Sequence, residues 1–205
     1  NGVGGSNISA NGSLDAIGTI VTIGDQQFYT IGTEGDNVKL LSMYNLYVGG
    51  VYNRGWTAYG AEATGKQDST MLGYVSGQSI RNGTTAFSSS TQKGTNYSDY
   101  SGSIVEGYVN NYKTILEEDY GVDVVEARLI TKDELTNSEI FACVEYDYCS
   151  DKYPWIYSTS YWSGSASGTS GVWIVSSSGY FIVDSYIYVN YNGVRPVIII
   201  SKSNF

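Results

Sequence analysis

A single stretch of helical periodicity interrupts a chain that otherwise alternates like strands, and that order restricts the possible folds more than any other feature. Ile104, Val105, Tyr108, Val109, Tyr112, Ile115 and Leu116 recur at three- and four-residue spacing, giving a helix one apolar face. Ser101 or Ser103 can cap its start, and Gly121 sits where a left-handed stop is expected. Upstream, residues 17–23, 28–31 and 38–43 read as three strands joined by turns at Gly24-Asp25 and Glu34-Gly35-Asp36-Asn37. Downstream, residues 124–130 read as a strand, and Thr131-Lys132-Asp133-Glu134 is a capping box opening a short helix. Residues 155–157, 160–163, 172–175, 180–183, 186–191 and 194–201 read as further strands. A meander, one main helix and then antiparallel strands predict an α+β domain rather than a parallel α/β one.

Residues 1–13 are small and polar and are expected to form a flexible N-terminal arm or linker, leaving 14–205 as one domain. Residues 44–99 are broken by Gly49-Gly50, Arg54-Gly55, Asn82-Gly83 and Ser88-Ser89-Ser90. Loops of that length inside a compact domain are often functional.

Composition narrows the chemistry. Of 205 residues 41% are hydrophobic, enough to bury a core. The net charge of −9 and the lack of any basic run disfavour nucleic acid and anionic membrane surfaces as partners. No apolar run reaches the roughly 18 residues of a membrane helix. Histidine is absent, which removes the commonest general base and the commonest metal ligand together. The start at Asn1, without Met or signal peptide, is expected of a mature form or an excised ectodomain. Tyrosine, by contrast, occurs 20 times alongside many Gly, Ser and Asn, a mixture that binding loops favour.

Cys143 and Cys149 enclose five residues and are expected to form a disulfide outside the cell. A reactive thiol pair is the other reading, but Glu145, Asp147 and Asp151 flank the pair and would raise the thiol pKa. Glu117-Glu118-Asp119 and Asp133-Glu134 could supply the two carboxylates of a glycoside hydrolase. They fall at the end of one helix and the start of another, where a solvated face and a cap account for them, so no catalytic residue is assigned. A calcium site built on Asp184 and loop carbonyls has no spacing motif behind it, and no cofactor is assigned. Arg195, between Val194 and Pro196, could bind an anionic ligand but is expected to be a buried structural arginine paired with a carboxylate or with backbone carbonyls, and Trp155, Trp162 and Trp173 are expected to sit mainly in the core. Trp56, among glycines, is expected to be exposed.

The segment 180–191 carries the densest aromatic pattern. Alternation places Tyr180, Ile182 and Asp184 on one face, continued by Tyr186, Tyr188 and Asn190, with Tyr191 closing the run. That face suits stacking on sugars or flat contact with a protein, and Tyr180, Asp184, Tyr186, Tyr188, Asn190, Tyr191 and Trp56 form the candidate ligand-binding set. An ordinary tyrosine-rich sheet packed against the long loops would give the same pattern.

Tyr161-Trp162-Ser163-Gly164-Ser165, then Val172-Trp173-Ile174-Val175 and Gly179, then Gly193-Val194-Arg195-Pro196-Val197-Ile198, resembles the end of a C-type-lectin-like domain, in the branch related to the formylglycine-generating fold. Ile23-Gly24-Asp25 with Phe28, Ala86-Phe87-Ser88-Ser89 and Ala127-Arg128-Leu129-Ile130-Thr131 extend the resemblance over residues 20–203. Such domains occur in Gram-positive bacterial surface proteins and in proteins with prepilin-type N-termini, so the resemblance implies an extracellular or cell-surface location. It also implies that the strands and loops before the last strand form a display surface. The chain departs from calcium-dependent sugar-binding lectins, having neither a Glu-Pro-Asn or Gln-Pro-Asp triplet nor Trp-Asn-Asp. It lacks the late redox-active cysteine pair of the formylglycine-generating enzymes. The expected function is therefore an extracellular, non-enzymatic adhesion or binding module for a glycan or protein. The alternative is a structural subunit of a surface filament or pilus, with residues 1–13 reaching a neighbour.

Overall fold

A computed structural model of the chain describes residues 7–48, 51–52, 58–59, 64–69, 100–168, 171–184 and 192–205. The meander forms as β1 (Ile8–Ala10), β2 (Ile20–Ile23), β3 (Gln26–Glu34) and β4 (Asn37–Ser42), all antiparallel. β5 (Val51–Tyr52) and β6 (Ala58–Tyr59) form a separate short ladder. Helix α1 (Ile104–Tyr120) leads into β7 (Val124–Arg128), α2 (Lys132–Thr136), β8 (Tyr161–Ser167), β9 (Gly171–Val175), β10 (Phe181–Asp184) and β11 (Val197–Ser201).

The main sheet has the order β1-β2-β3-β4-β11-β7, and the second has β10-β9-β8. The last strand thus lies between the N-terminal meander and β7, antiparallel to both neighbours. This mixed α+β architecture, antiparallel with one main helix, agrees with the α+β expectation.

Period-two alternation sends successive side chains of the central strands into two cores. Val38 and Leu40 of β4 and Ile198 and Ile200 of β11 join Val105, Val109, Tyr112 and Leu116 of α1. Leu41 and Val197 face the other way, toward Tyr161, Trp173, Val175 and Phe181. Central strands buried on both faces read as continuous apolar runs, as Val197-Ile198-Ile199-Ile200 does.

The helix ends follow their local chemistry. Of the two candidate caps, Ser103 is the one used, its side chain accepting from the Glu106 amide, and Gly121 ends α1 at φ 70°. Thr131 and Glu134 form the reciprocal capping box at α2.

Two expectations change. Residues 155–157 are not a strand: Pro154–Tyr157 is a 3-10 turn. Proline suits the first helical position, and the carbonyls that a ladder would have used turn instead onto Arg195. The segment 1–13 is not wholly a loose arm, because Ile8–Ala10 pairs with Val21–Ile23 at the edge of the main sheet. Asn11 continues the contact, its side chain accepting from the Ile20 amide at 2.8 Å. Residues 1–6 lie outside the described residues.

Candidate functional site

The loop that follows α2 is built to hold aromatic rings in solvent. The Leu135 carbonyl accepts from the Cys143 amide at 3.0 Å, and the Cys143–Cys149 disulfide closes the loop. On its far side the loop lies along the start of β10. The Tyr146 amide donates to the Phe181 carbonyl (3.0 Å), the Cys149 amide donates to Gly179 (2.8 Å), and Tyr148 pairs with Tyr180 as an isolated antiparallel bridge.

Three rings emerge from this junction. Tyr146 is 59% exposed, Tyr148 55% and Tyr180 37%, and Val144 beside them is 61% exposed. Tyr148 and Tyr180 meet edge to face at 5.7 Å. Tyr146 leans on Trp173 at 5.7 Å, and Trp173 stacks on the buried Phe181 at 4.9 Å. An aromatic column therefore runs from the core to the surface.

Tyr146 has φ 66°, a left-handed conformation that bulky residues rarely adopt. The disulfide and the bond to Phe181 hold it there. A residue kept in an unfavourable backbone region at a surface loop points to a role for its side chain's direction.

Lys132 ties the loop to the body. Its Nζ lies 4.5 Å from the Trp173 ring centroid and 2.5 Å from Glu145 Oε1, while its amide donates to Ser165 Oγ. A cleft of about 260 Å³ is lined by Phe141, Ala142, Val144 and Tyr148 together with Asp147, Asp151 and Lys152.

The other expected site residues fall as follows. Tyr180 is part of the patch, and Asp184 is the last residue of β10. Trp56, Tyr186, Tyr188, Asn190 and Tyr191 lie outside the described residues. Trp162 and Trp173 are buried, and Trp155 is half-buried, stacked 4.5 Å from Tyr29. Arg195 is fully buried and forms no ion pair with a carboxylate among the described residues. Nε donates to the Ser42 carbonyl (2.6 Å), and the two terminal nitrogens donate to Ile156 and Trp155 (3.1 Å each). Its guanidinium also sits 4.9 Å over the Tyr161 ring.

The carboxylate runs are structural in their contacts. Glu117, Glu118 and Asp119 are exposed on the last turn of α1. Glu134 is shared between its cap, a bidentate pair with Arg128 (2.6 and 3.0 Å) and Lys39 at 3.4 Å. Among the described residues no group of three or more metal-ligating side chains gathers, and no helix is long and apolar enough to cross a membrane.

Tyr146 and Tyr148 were missed by the candidate set. Their signal in the sequence was the closed cysteine loop itself, Cys143-Val144-Glu145-Tyr146-Asp147-Tyr148-Cys149, which has too few residues between its ends to bury two tyrosines. In comparison with known proteins, no family model, no curated protein and no solved structure matches the chain.

Proposed function

We propose that the chain is an extracellular, non-enzymatic recognition module of C-type-lectin-like type that binds a cell-surface ligand, glycan or protein, through Tyr146, Tyr148 and Tyr180. The observation that carries this reading is the exposure of three clustered tyrosines on a disulfide-closed loop, one of them with a left-handed backbone. Tyrosine gives large contact area for little lost rotamer freedom, and its phenol can hydrogen-bond at the rim. The oxidised cysteine pair supports a location outside the reducing cytosol. The antiparallel sheets, the single main helix and a last strand entered through Gly193-Val194-Arg195-Pro196 support the lectin-like assignment.

The test is a triple Tyr146→Ala, Tyr148→Ala, Tyr180→Ala variant, compared with the parent chain on a printed glycan array and on bacterial and host cell surfaces. Binding by the parent and its loss in a variant with unchanged circular dichroism is the expected result. Equal binding by both would place the ligand elsewhere.

A filament subunit is the second reading, and one observation favours it. Strand β1 comes from the segment proposed as an arm and sits at the outer edge of the main sheet. An edge strand offers backbone groups to a neighbouring copy. Assembly that survives deletion of residues 1–13 would argue against it.

A further inference from the structure

We propose that the partner at this patch is a protein segment presenting lysine or arginine side chains, taken into the cleft beside Tyr148 with the cationic head between Asp147 and Asp151. The inference rests on the reading of Tyr146, Tyr148 and Tyr180 as the binding surface and names the chemistry of what they bind.

The charges around the patch are unequally satisfied. Glu145 is neutralised by Lys132, and Glu134 by Arg128 and Lys39. Asp147 and Asp151 take part in no ion pair with any described residue. Both line the cleft, and both are exposed. Lys152, in the same lining, directs its Nζ to the Ile140 carbonyl at 2.7 Å and lies 5.3 Å from the Tyr153 ring centroid. Its ammonium, which forms no ion pair with either carboxylate, still competes with an incoming cation.

The rest of the lining is mainly apolar: Phe141, Ala142 and Val144, together with Tyr148. A lining that combines apolar surface with two carboxylates matches a side chain whose hydrocarbon stem ends in a cation. An exposed tyrosine face beside the head adds a cation–π contact. At long range the net charge of −9 draws a basic partner in and repels an acidic one. A neutral sugar would stack on the same rings, but its binding would not depend on ionic strength.

The experiment displays matched peptides in which lysine, arginine or glutamine occupies the same positions, together with neutral and anionic oligosaccharides. The oxidised chain is applied at low salt and at salt well above physiological, across which the Debye length falls from about 30 Å to a few ångströms. Capture of lysine and arginine peptides, not glutamine ones, is expected. It should weaken about threefold or more in the Asp147→Asn, Asp151→Asn double variant, since two solvent-exposed ion pairs are lost. It should strengthen in Lys152→Gln and fall with salt. Failure of the parent chain to retain any basic peptide at low salt overturns the inference. So does capture of neutral oligosaccharides alone, unaffected by salt; if the triple tyrosine variant loses that capture, the tyrosine surface stands and only the cationic partner falls. Basic-peptide capture that survives both the double aspartate and the triple tyrosine variant would overturn the site and the partner together.

Discussion

Gly179 and Tyr148 occupy adjoining space so closely that a Cβ on Gly179 would lie 2.4 Å from Cε2 of the Tyr148 ring. Gly179 also has φ 95°, where a side chain is strained whatever the room around it. The turn before β10 and the Tyr148 ring of the disulfide-closed loop are thus coupled. Gly179→Ala should cost about 1–2 kcal/mol and swing the Tyr148 ring away from Tyr180. Chemical denaturation reads the first effect. Ligand capture, expected to fall more than stability does, reads the second.

Gly193 answers to a different neighbour. A Cβ there would stand 2.1 Å from Asn45 Nδ2, in a fully buried place where two chain segments meet. Asn45 cannot retreat freely, since Thr159 donates to it at 3.2 Å. Gly193→Ala should therefore destabilise by about 1–3 kcal/mol through overpacking, with no direct effect on the tyrosine patch. An unchanged denaturation midpoint would contradict this.

Arg195 joins the end of β4 to the 3-10 turn through three carbonyls. Arg195→Met removes the charge and all three of these hydrogen bonds, each to a charged donor and worth about 1.5–3 kcal/mol, although the Ile156 and Trp155 carbonyls still accept from the Tyr161 and Ser158 hydroxyls. Arg195→Lys keeps the charge and loses the fork that reaches all three. Both variants should fold poorly, with lysine no real rescue. A lysine variant melting within a few degrees of the parent would show that charge rather than geometry matters.

Reducing Cys143–Cys149 should lower stability by about 2 kcal/mol, the entropy of a short loop, and leave both sheets intact. The larger effect falls on Tyr146, whose left-handed backbone loses one of its restraints. Amide hydrogen exchange is expected to quicken at residues 144–148 and stay unchanged in β9 and β11. Uniform exchange changes across the chain would rule out so local a role.

Stability should fall at both ends of the pH scale for separate reasons. Burial pushes the Tyr161 phenol up to about 12, although Arg195 pulls it back. A folded value above the unfolded one, about 10, contributes stability that is full below that pH and is lost as pH rises through the folded value. Burial also pushes the Glu134 carboxyl up, but the hydrogen bond and charge of Arg128, the Thr131 amide and Lys39 together hold it below its usual range. Its contribution is present above about pH 4.3 and is lost as pH falls through the folded value. Thermal melts across pH should show both limbs, and Glu134→Gln should flatten the acid one.

Much of this is legible in the sequence alone. The spacing of Val105, Val109, Tyr112 and Leu116 specifies a one-faced helix, and Thr131 with Glu134 specifies a cap, because both depend on contacts within a few residues. The meander was legible for the same reason: its turns at Gly24 and Gly35 need left-handed backbone that glycine adopts freely. Residues 155–157 misled, since an alternating apolar pattern cannot report that Arg195, some forty residues away, will claim their carbonyls.

By itself the chain determined its α+β class, its helix ends and the identity of its buried arginine, all consequences of local periodicity and of the cost of leaving polar groups dry. Only the tertiary structure decided where the exposed rings gather. Strand alternation had drawn attention to residues 180–191, but a disulfide loop folded along the edge of β10 brings Tyr146 and Tyr148 to Tyr180. That meeting depends on segments more than thirty residues apart finding one another, which no pattern confined to neighbours can encode.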